Sequence, residues 1–178
     1  LAGFAVLLYR YSGQTDIAVG TPIAGRRRKE FEELVGFFVN TLVMRTDLAG
    51  DPPFTEVLRR VRDTALDAYD HQDLPFERLV EELAPARDRS RNPVFQVMFA
   101  FLNVPESPLQ LEGLEVSRFP MDLRNEIFDL SLTMQMSSDG LVGTFSYSSD
   151  LFETGSIERM AGGFRHLLES VVADPARP

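Results

Sequence analysis

Along this chain the apolar residues switch repeatedly between a repeat of two and a repeat near 3.6, so strands and helices must intermix. Phe128, Leu130, Leu132, Met134 and Met136 alternate with polar residues, Asp139-Gly140 supplies a tight turn, and Leu141 to Tyr147 returns as a hairpin. Directly after it, Ile157, Met160, Ala161, Phe164, Leu167, Leu168, Val171 and Val172 keep helical period until Asp174-Pro175. Upstream, Phe54, Val57, Leu58, Val61, Ala65, Ala68 and Tyr69 form a second helical stripe. Asp51 is placed to cap this helix, with proline at its first position. A further helix runs from about Pro75, with Phe76, Leu79, Val80 and Leu83 on one face. Strands are expected at Asp16 to Gly20, followed by a loop through Thr21-Pro22-Ile23-Ala24-Gly25-Arg26, and at Phe38 to Arg45. Pro93 to Phe101 is apolar nearly throughout, as a strand covered on both faces would be, and Pro105 to Gly113 reads as a loop. Leu1 to Tyr11 reads as a helix entered partway. The pattern implies one domain over residues 1–178: an α/β sandwich with a single sheet of mixed direction and packed helices.

Composition narrows the function classes. A chain of 178 residues can bury a substantial core. The formal charge of −9 argues against nucleic acid, because binding phosphates needs a basic surface that releases counterions. No apolar run is long enough to cross a bilayer, and no partnership with a membrane is expected. Cysteine is absent, which removes disulfides, thiolate nucleophiles and Cys-ligated zinc, and the acidic, cysteine-free composition suits a cytoplasmic protein. The two histidines, His71 and His166, lie far apart, with no H-x-x-H or H-E-x-x-H spacing for a metal. A G-x-S-x-G elbow, a P-loop and a G-x-G-x-x-G fingerprint are all missing from the sequence.

Three short segments stand out in fixed order. In Val35-Gly36-Phe37-Phe38-Val39-Asn40-Thr41, Gly36 is expected to allow an unusual backbone angle and the phenylalanines to fill core. Asn40 fits that picture poorly, since an amide among apolar strand residues must find partners or cost stability. In His71-Gln72-Asp73-Leu74-Pro75-Phe76-Glu77, Asp73 is expected to cap the following helix and Phe76 to anchor it. His71 has no neighbouring Ser or Cys to activate. Arg87-Asp88-Arg89-Ser90-Arg91-Asn92-Pro93-Val94 reads as a solvated loop before a buried strand. Gly25-Arg26-Arg27-Arg28-Lys29 is the one basic cluster, with Glu30, Glu32 and Glu33 beside it to neutralise it.

Together these three segments resemble the last three signature motifs of the condensation domain of nonribosomal peptide synthetases. The resemblance implies one lobe of a chloramphenicol-acetyltransferase-like fold, in which two lobes form a V with a tunnel between them. Donor and acceptor arrive there as thioesters on the 4'-phosphopantetheine arms of carrier proteins, and no cofactor is bound by the domain itself. The family's His-His-x-x-x-Asp-Gly motif lies upstream of these segments, and no His-His pair occurs in this sequence. The chain is thus expected to be the C-terminal lobe without the N-terminal lobe, to supply no catalytic residue and to be inactive alone. Its inner face would be left wet, so self-association through that face is expected. The resemblance places Asn40 and Thr41 near the substrate tunnel and Gln72 and Asp73 at the lobe interface. It makes Arg26 the candidate partner of the aspartate in the missing motif, and the wording of the third segment leans toward an L-configured donor. The basic cluster has an alternative use, attracting a carrier's phosphopantetheine phosphate. Two other readings stay open: a non-catalytic condensation-like module that recruits a carrier protein or partner enzyme, and a CoA-dependent acyltransferase of the same fold.

Overall fold

The computed structural model of the protein describes residues 1–83, 91–103, 111, 113, 114, 116, 126–137 and 140–176. Four helices, α1 (Ala2–Ser12), α2 (Phe54–Asp70), α3 (Phe76–Leu83) and α4 (Thr154–Ala173), accompany five strands. These are β1 (Asp16–Ile23), β2 (Asn40–Asp47), β3 (Val97–Leu102), β4 (Leu130–Ser137) and β5 (Gly140–Tyr147). They make one sheet in the order β2-β1-β3-β4-β5, antiparallel at both ends and parallel across β1-β3-β4. The mixed sheet with packed helices is the expected fold class.

One face of the sheet carries the main core. Alternation turns Ile17, Val19, Phe99, Leu130, Leu132 and Met134 toward the helices, where they meet Phe4 and Leu7 of α1, Val57 and Val61 of α2, and Ile157, Met160 and Phe164 of α4. Phe4 lies edge-on to Phe145 (6.2 Å) and Phe164 (6.4 Å), a favoured aromatic geometry. Helix α4 ends at Ala173 before Asp174-Pro175, as expected. The hairpin registers Ser137 against Gly140, and Asp139 of its expected turn lies outside the described residues.

Several local expectations are corrected. Strand β1 continues through Thr21-Pro22 to Ile23, where the sequence suggested a loop. Proline is tolerated at Pro22 because β3 bridges β1 only at Gly20, which leaves β2 as the sole neighbour there. Strand β2 begins at Asn40 rather than Phe38. Helix α2 starts at Phe54 with Pro53 at the N-cap and no side-chain cap bond, so Asp51 does not cap it. Leu58 and Tyr69 of its stripe are exposed.

Strand β3 starts at Val97, not Pro93, and its end is open: Phe101 and Leu102 are exposed, so it is not covered on both faces. Before it the backbone turns sharply. The Phe95 N–H donates to the Pro93 carbonyl (2.8 Å) and Val94 sits at φ 70, a γ-turn rarely adopted by a β-branched residue. The expected loop at Pro105 to Gly113 lies mostly outside the described residues, as do residues 84–90, which include the first part of the third segment.

Candidate functional site

The site is built around the entry to α3, at the end of the sheet where Ile23 of β1 stands opposite Asn40 of β2. Gly20 lies on the sheet face away from the main core, because its neighbours Val19 and Ile17 point into that core. A Cβ on Gly20 would overlap the ring of Phe95, so the missing side chain is the slot that ring occupies. Phe95, buried at 2 % exposure, stacks between Phe76 (5.4 Å) and Phe128 (5.5 Å). This aromatic row ties the second segment, through Phe76, to the strand entry after the third.

Asn40 supplies the polar pin. Its amide donates to the carbonyls of Gln72 (3.0 Å) and Leu74 (2.8 Å), while its Oδ1 accepts from the Phe76 N–H (3.1 Å). The Phe76 amide begins α3 and has no intrahelical partner, so a residue 36 positions away caps that helix. The amide that looked misplaced in an apolar strand is satisfied entirely by backbone of the second segment. Asp73, expected to cap α3, instead accepts from the Arg27 guanidinium at 2.8 Å, an exposed pair. Gln72 contributes its backbone carbonyl to Asn40 and turns its own amide back to the Tyr69 carbonyl (2.7 Å).

The loop from Ala24 to Val39 wraps around Arg26. The guanidinium donates to the carbonyls of Phe31 and Leu34 (2.8 Å for the latter) and lies 4.3 Å from the ring centre of Phe38, which stacks on Phe31. Arginine has five N–H donors, so this use leaves others for a carboxylate. Gly25, at φ 66, is a position where a Cβ would overlap the Phe38 carbonyl oxygen. The unusual backbone angle expected at Gly36 is found at Gly25 instead; Gly36 is not among the positive-φ glycines.

The phenylalanines of the first segment do not fill core. Phe37 is 90 % exposed and Val35 fully so, with Leu34, Val39 and Leu74 also exposed, because the loop stands off the sheet instead of feeding a buried strand. Thr41 sits opposite Pro22 in the β1–β2 register, half-buried, on the same face as Gly20. The basic cluster pairs differently from expectation. Arg27 reaches Asp73, and among the described residues no ion pair joins Arg28 or Lys29 to Glu30, Glu32 or Glu33.

Of the expected site residues, the structure joins Asn40, Gln72 and Asp73 around the entry to α3, with Arg27 beside them. Arg26 holds the adjoining loop. Of the third segment, Arg87 to Ser90 lie outside the described residues; the Asn92 side chain donates to the Ile127 carbonyl (2.7 Å), and its backbone carbonyl accepts from the Gln96 amide (3.0 Å). Sequence reasoning missed Gly20, Phe95 and Phe128. A glycine within a strand was the available signal, since it marks close approach by another group.

Chemically this region offers hydrogen bonds and apolar surface. His71 binds the Asp67 carbonyl of its own helix (2.8 Å), and His166 lies on α4 beside Glu169. Among the described residues no side-chain hydrogen bond joins His71 to a Ser, Thr or carboxylate, and the exposed His166–Glu169 pair (3.3 Å) is bonded to no Ser or Thr hydroxyl that it could activate.

A fold of this kind, with the first two segments joined around the entry to α3, has clear relatives. The family model described as the condensation domain matches residues 1–178, and the chain belongs to that family. It is 53 % identical to one of the linear gramicidin synthase proteins of Brevibacillus parabrevis over 98 % of this chain and 2 % of the relative. A four-domain nonribosomal peptide synthetase solved with AMP and glycine superposes with a TM-score of 0.89 at 29 % identity, over 99 % of this chain and 14 % of that one. The X-domain from teicoplanin biosynthesis, solved in complex with OxyB, gives 0.87 at 33 % identity, over 99 % of this chain and 39 % of that one. The chain therefore spans less than half the length of each of these relatives.

Proposed function

We propose that this chain is the C-terminal lobe of a condensation domain that joins carrier-bound thioesters by an amide bond in nonribosomal peptide synthesis. In that reaction the acceptor amine attacks the donor carbonyl; a C–N bond forms, the C–S bond breaks, and the amine proton leaves with the phosphopantetheine thiolate as thiol. This lobe builds one wall of the tunnel in which the two arms meet, and an N-terminal lobe brings the His-His-x-x-x-Asp-Gly motif. Alignment of two tethered substrates supplies much of the rate, so a wall that fixes geometry contributes without a reactive group.

The observation that carries this reading is the Asn40 pin. It spends a polar side chain on holding the second segment against the first, beside an apolar loop that stays exposed. Asn40 is thus a positioning residue; Gln72, Asp73 and Thr41 shape the same wall, and the remaining donors of Arg26 reach the aspartate of the upstream motif. The cysteine-free composition suits a cytoplasmic setting. In the test, the purified chain is incubated with donor-loaded and acceptor-loaded carrier proteins, with and without the separately produced upstream lobe. Amide product is expected only with both lobes. Product from this chain alone would overturn the proposal.

A second reading is favoured by the likeness to the teicoplanin X-domain, which is seen in complex with another protein. The chain would then be part of a non-catalytic module recruiting a carrier protein or partner enzyme. An upstream lobe lacking the His-His pair, inactive with both carriers yet retaining a partner enzyme, would select this reading over the first.

A further inference from the structure

Among the described residues two non-glycine positions have positive φ, Asp51 at 48 and Val94 at 70. A short polar side chain tolerates that region, whereas a β-branched one is crowded there. The turn at Val94 is therefore held against its own preference, by contacts on both sides of it. On the C-terminal side, the β3–β4 register sets Val97 opposite Leu130. That alignment continues backward past the strand ends: the Gln96 carbonyl accepts from the Asp129 N–H (3.0 Å), and Phe95 stacks on Phe128 (5.5 Å). One further step would set Val94 opposite Ile127. Instead Asn92, two residues earlier, meets that position, its amide donating to the Ile127 carbonyl (2.7 Å). The γ-turn between the Phe95 N–H and the Pro93 carbonyl takes up the difference, and the Gln96 amide closes the loop on the Asn92 carbonyl (3.0 Å). Extended backbone from Phe95 to Asn92 would carry Asn92 about 7 Å beyond Ile127 and break that bond.

We propose that Val94 is a positioning residue for amide-bond formation: its strained turn fixes the end of the third segment, residues 91–94, to the entry of α3. This rests on the reading of the chain as a condensation lobe. Two short paths make the link. Phe95 fills the slot at Gly20 and stacks on Phe76, the first residue of α3, whose N–H is capped by Asn40 of the first segment. Asn92 ties the third segment to Ile127, the neighbour of Phe128 in the same aromatic row. Strain of this kind persists only where the surroundings over-determine it, and the two anchors do so here. Where alignment of tethered substrates supplies the rate, a displaced wall slows the chemistry more than it weakens carrier binding.

Kinetics of the full chain with the separately produced upstream lobe and loaded carriers test it. Val94→Asn, which tolerates positive φ, is expected to keep the parent kcat. Val94→Pro, whose φ is fixed at about −65°, is expected to lower kcat at least about tenfold while KM for each carrier stays unchanged. Asn92→Ala removes the outer anchor and leaves the aromatic row in place; it is expected to lower kcat in the same way, and it decides the matter should the proline variant not fold. Melting temperatures need no activity: Val94→Asn is expected to melt above Val94→Thr, which is polar but as β-branched as valine. An unaltered kcat in Val94→Pro or Asn92→Ala, a raised KM in place of the lowered kcat, or Val94→Thr melting at or above Val94→Asn would each overturn the assignment. Parent lobes that make no product together would refute the condensation reading, and the melting order would still judge the turn.

Discussion

Two regions of the molecule, the helix-covered core and the entry to α3, are held by different kinds of interaction. Toward α1, α2 and α4, adhesion comes mainly from many aliphatic and aromatic side chains, with the Tyr147 hydroxyl also donating to the Thr154 hydroxyl (2.9 Å). Toward α3, it comes from a few individually specified features: the slot at Gly20 for Phe95, the absent side chain at Gly25, and the three bonds of Asn40. The first kind tolerates exchange of one apolar residue for another of similar volume, whereas the second does not. Around the entry to α3, where the first two segments meet, residue identity matters one position at a time.

The contrast can be broken or sharpened by substitution. On the helix-covered face, Leu132→Ala removes a side chain with 0 % exposure and should cost about 2–5 kcal/mol, read by urea denaturation, while Leu132→Met should cost little. Similar losses from both would contradict exchangeable packing. On the opposite face the smallest enlargement should suffice. Gly20→Ala drives a methyl into the Phe95 ring and should cost roughly 1–3 kcal/mol, with the loss reduced in Gly20→Ala/Phe95→Leu. Additive losses would show that the slot does not exist.

Asn40→Ala leaves the Phe76 amide uncapped and two carbonyls without their donor, a loss of about 1–3 kcal/mol. Asn40→Asp should not rescue it, because a carboxylate cannot donate to the Gln72 and Leu74 carbonyls. Full stability in the aspartate variant would contradict the assignment.

The last two tests concern the helices. Hydrogen bonds from Arg59 and Arg60 hold the Glu56 carboxyl at about 2, well below its ordinary value. A carboxyl depressed by folding stabilises above its unfolded pKa and loses that contribution as pH falls through the folded one. Carbon-detected NMR titration should therefore find Glu56 ionised down to the vicinity of pH 2, and stability should begin to decline below pH 4.5. A Glu56 midpoint near 4.5 would contradict the triad with Arg59 and Arg60.

Smallest in size, Gly162→Ala should raise stability by up to about 1 kcal/mol, since nothing lies within 4 Å of the added Cβ on α4. A melting temperature unchanged or lowered would show that Gly162 has a packing role. Tight packing between α1 and α4 occurs at Gly3, where Leu168 would lie 3.0 Å from an added Cβ.

Period made most of the helix-covered face legible: Leu130, Leu132, Met134, Ile157, Met160 and Phe164 follow directly from alternation and helical repeat. The region around the entry to α3 was only half legible. Asn40 announced itself as an amide out of place, but nothing local could reveal that its partners lie more than thirty residues on. Asp73 carried the local signature of a helix cap, and a distant asparagine took that place while Arg27 took the carboxylate. Phe37 and Val35 looked like core because hydrophobicity alone does not say whether a loop lies on the sheet or stands away from it. For Asn40 and Asp73 a long-range contact decided what a short window could not.

Asn40 is the fastener that makes separate segments into one surface. Native-state hydrogen exchange at the Phe76 amide measures this most directly, with the Leu132 amide as a reference for global unfolding. In Asn40→Ala, protection at Phe76 is expected to fall at least about tenfold beyond any loss at Leu132. Equal changes at the two amides, or none at Phe76, would contradict it.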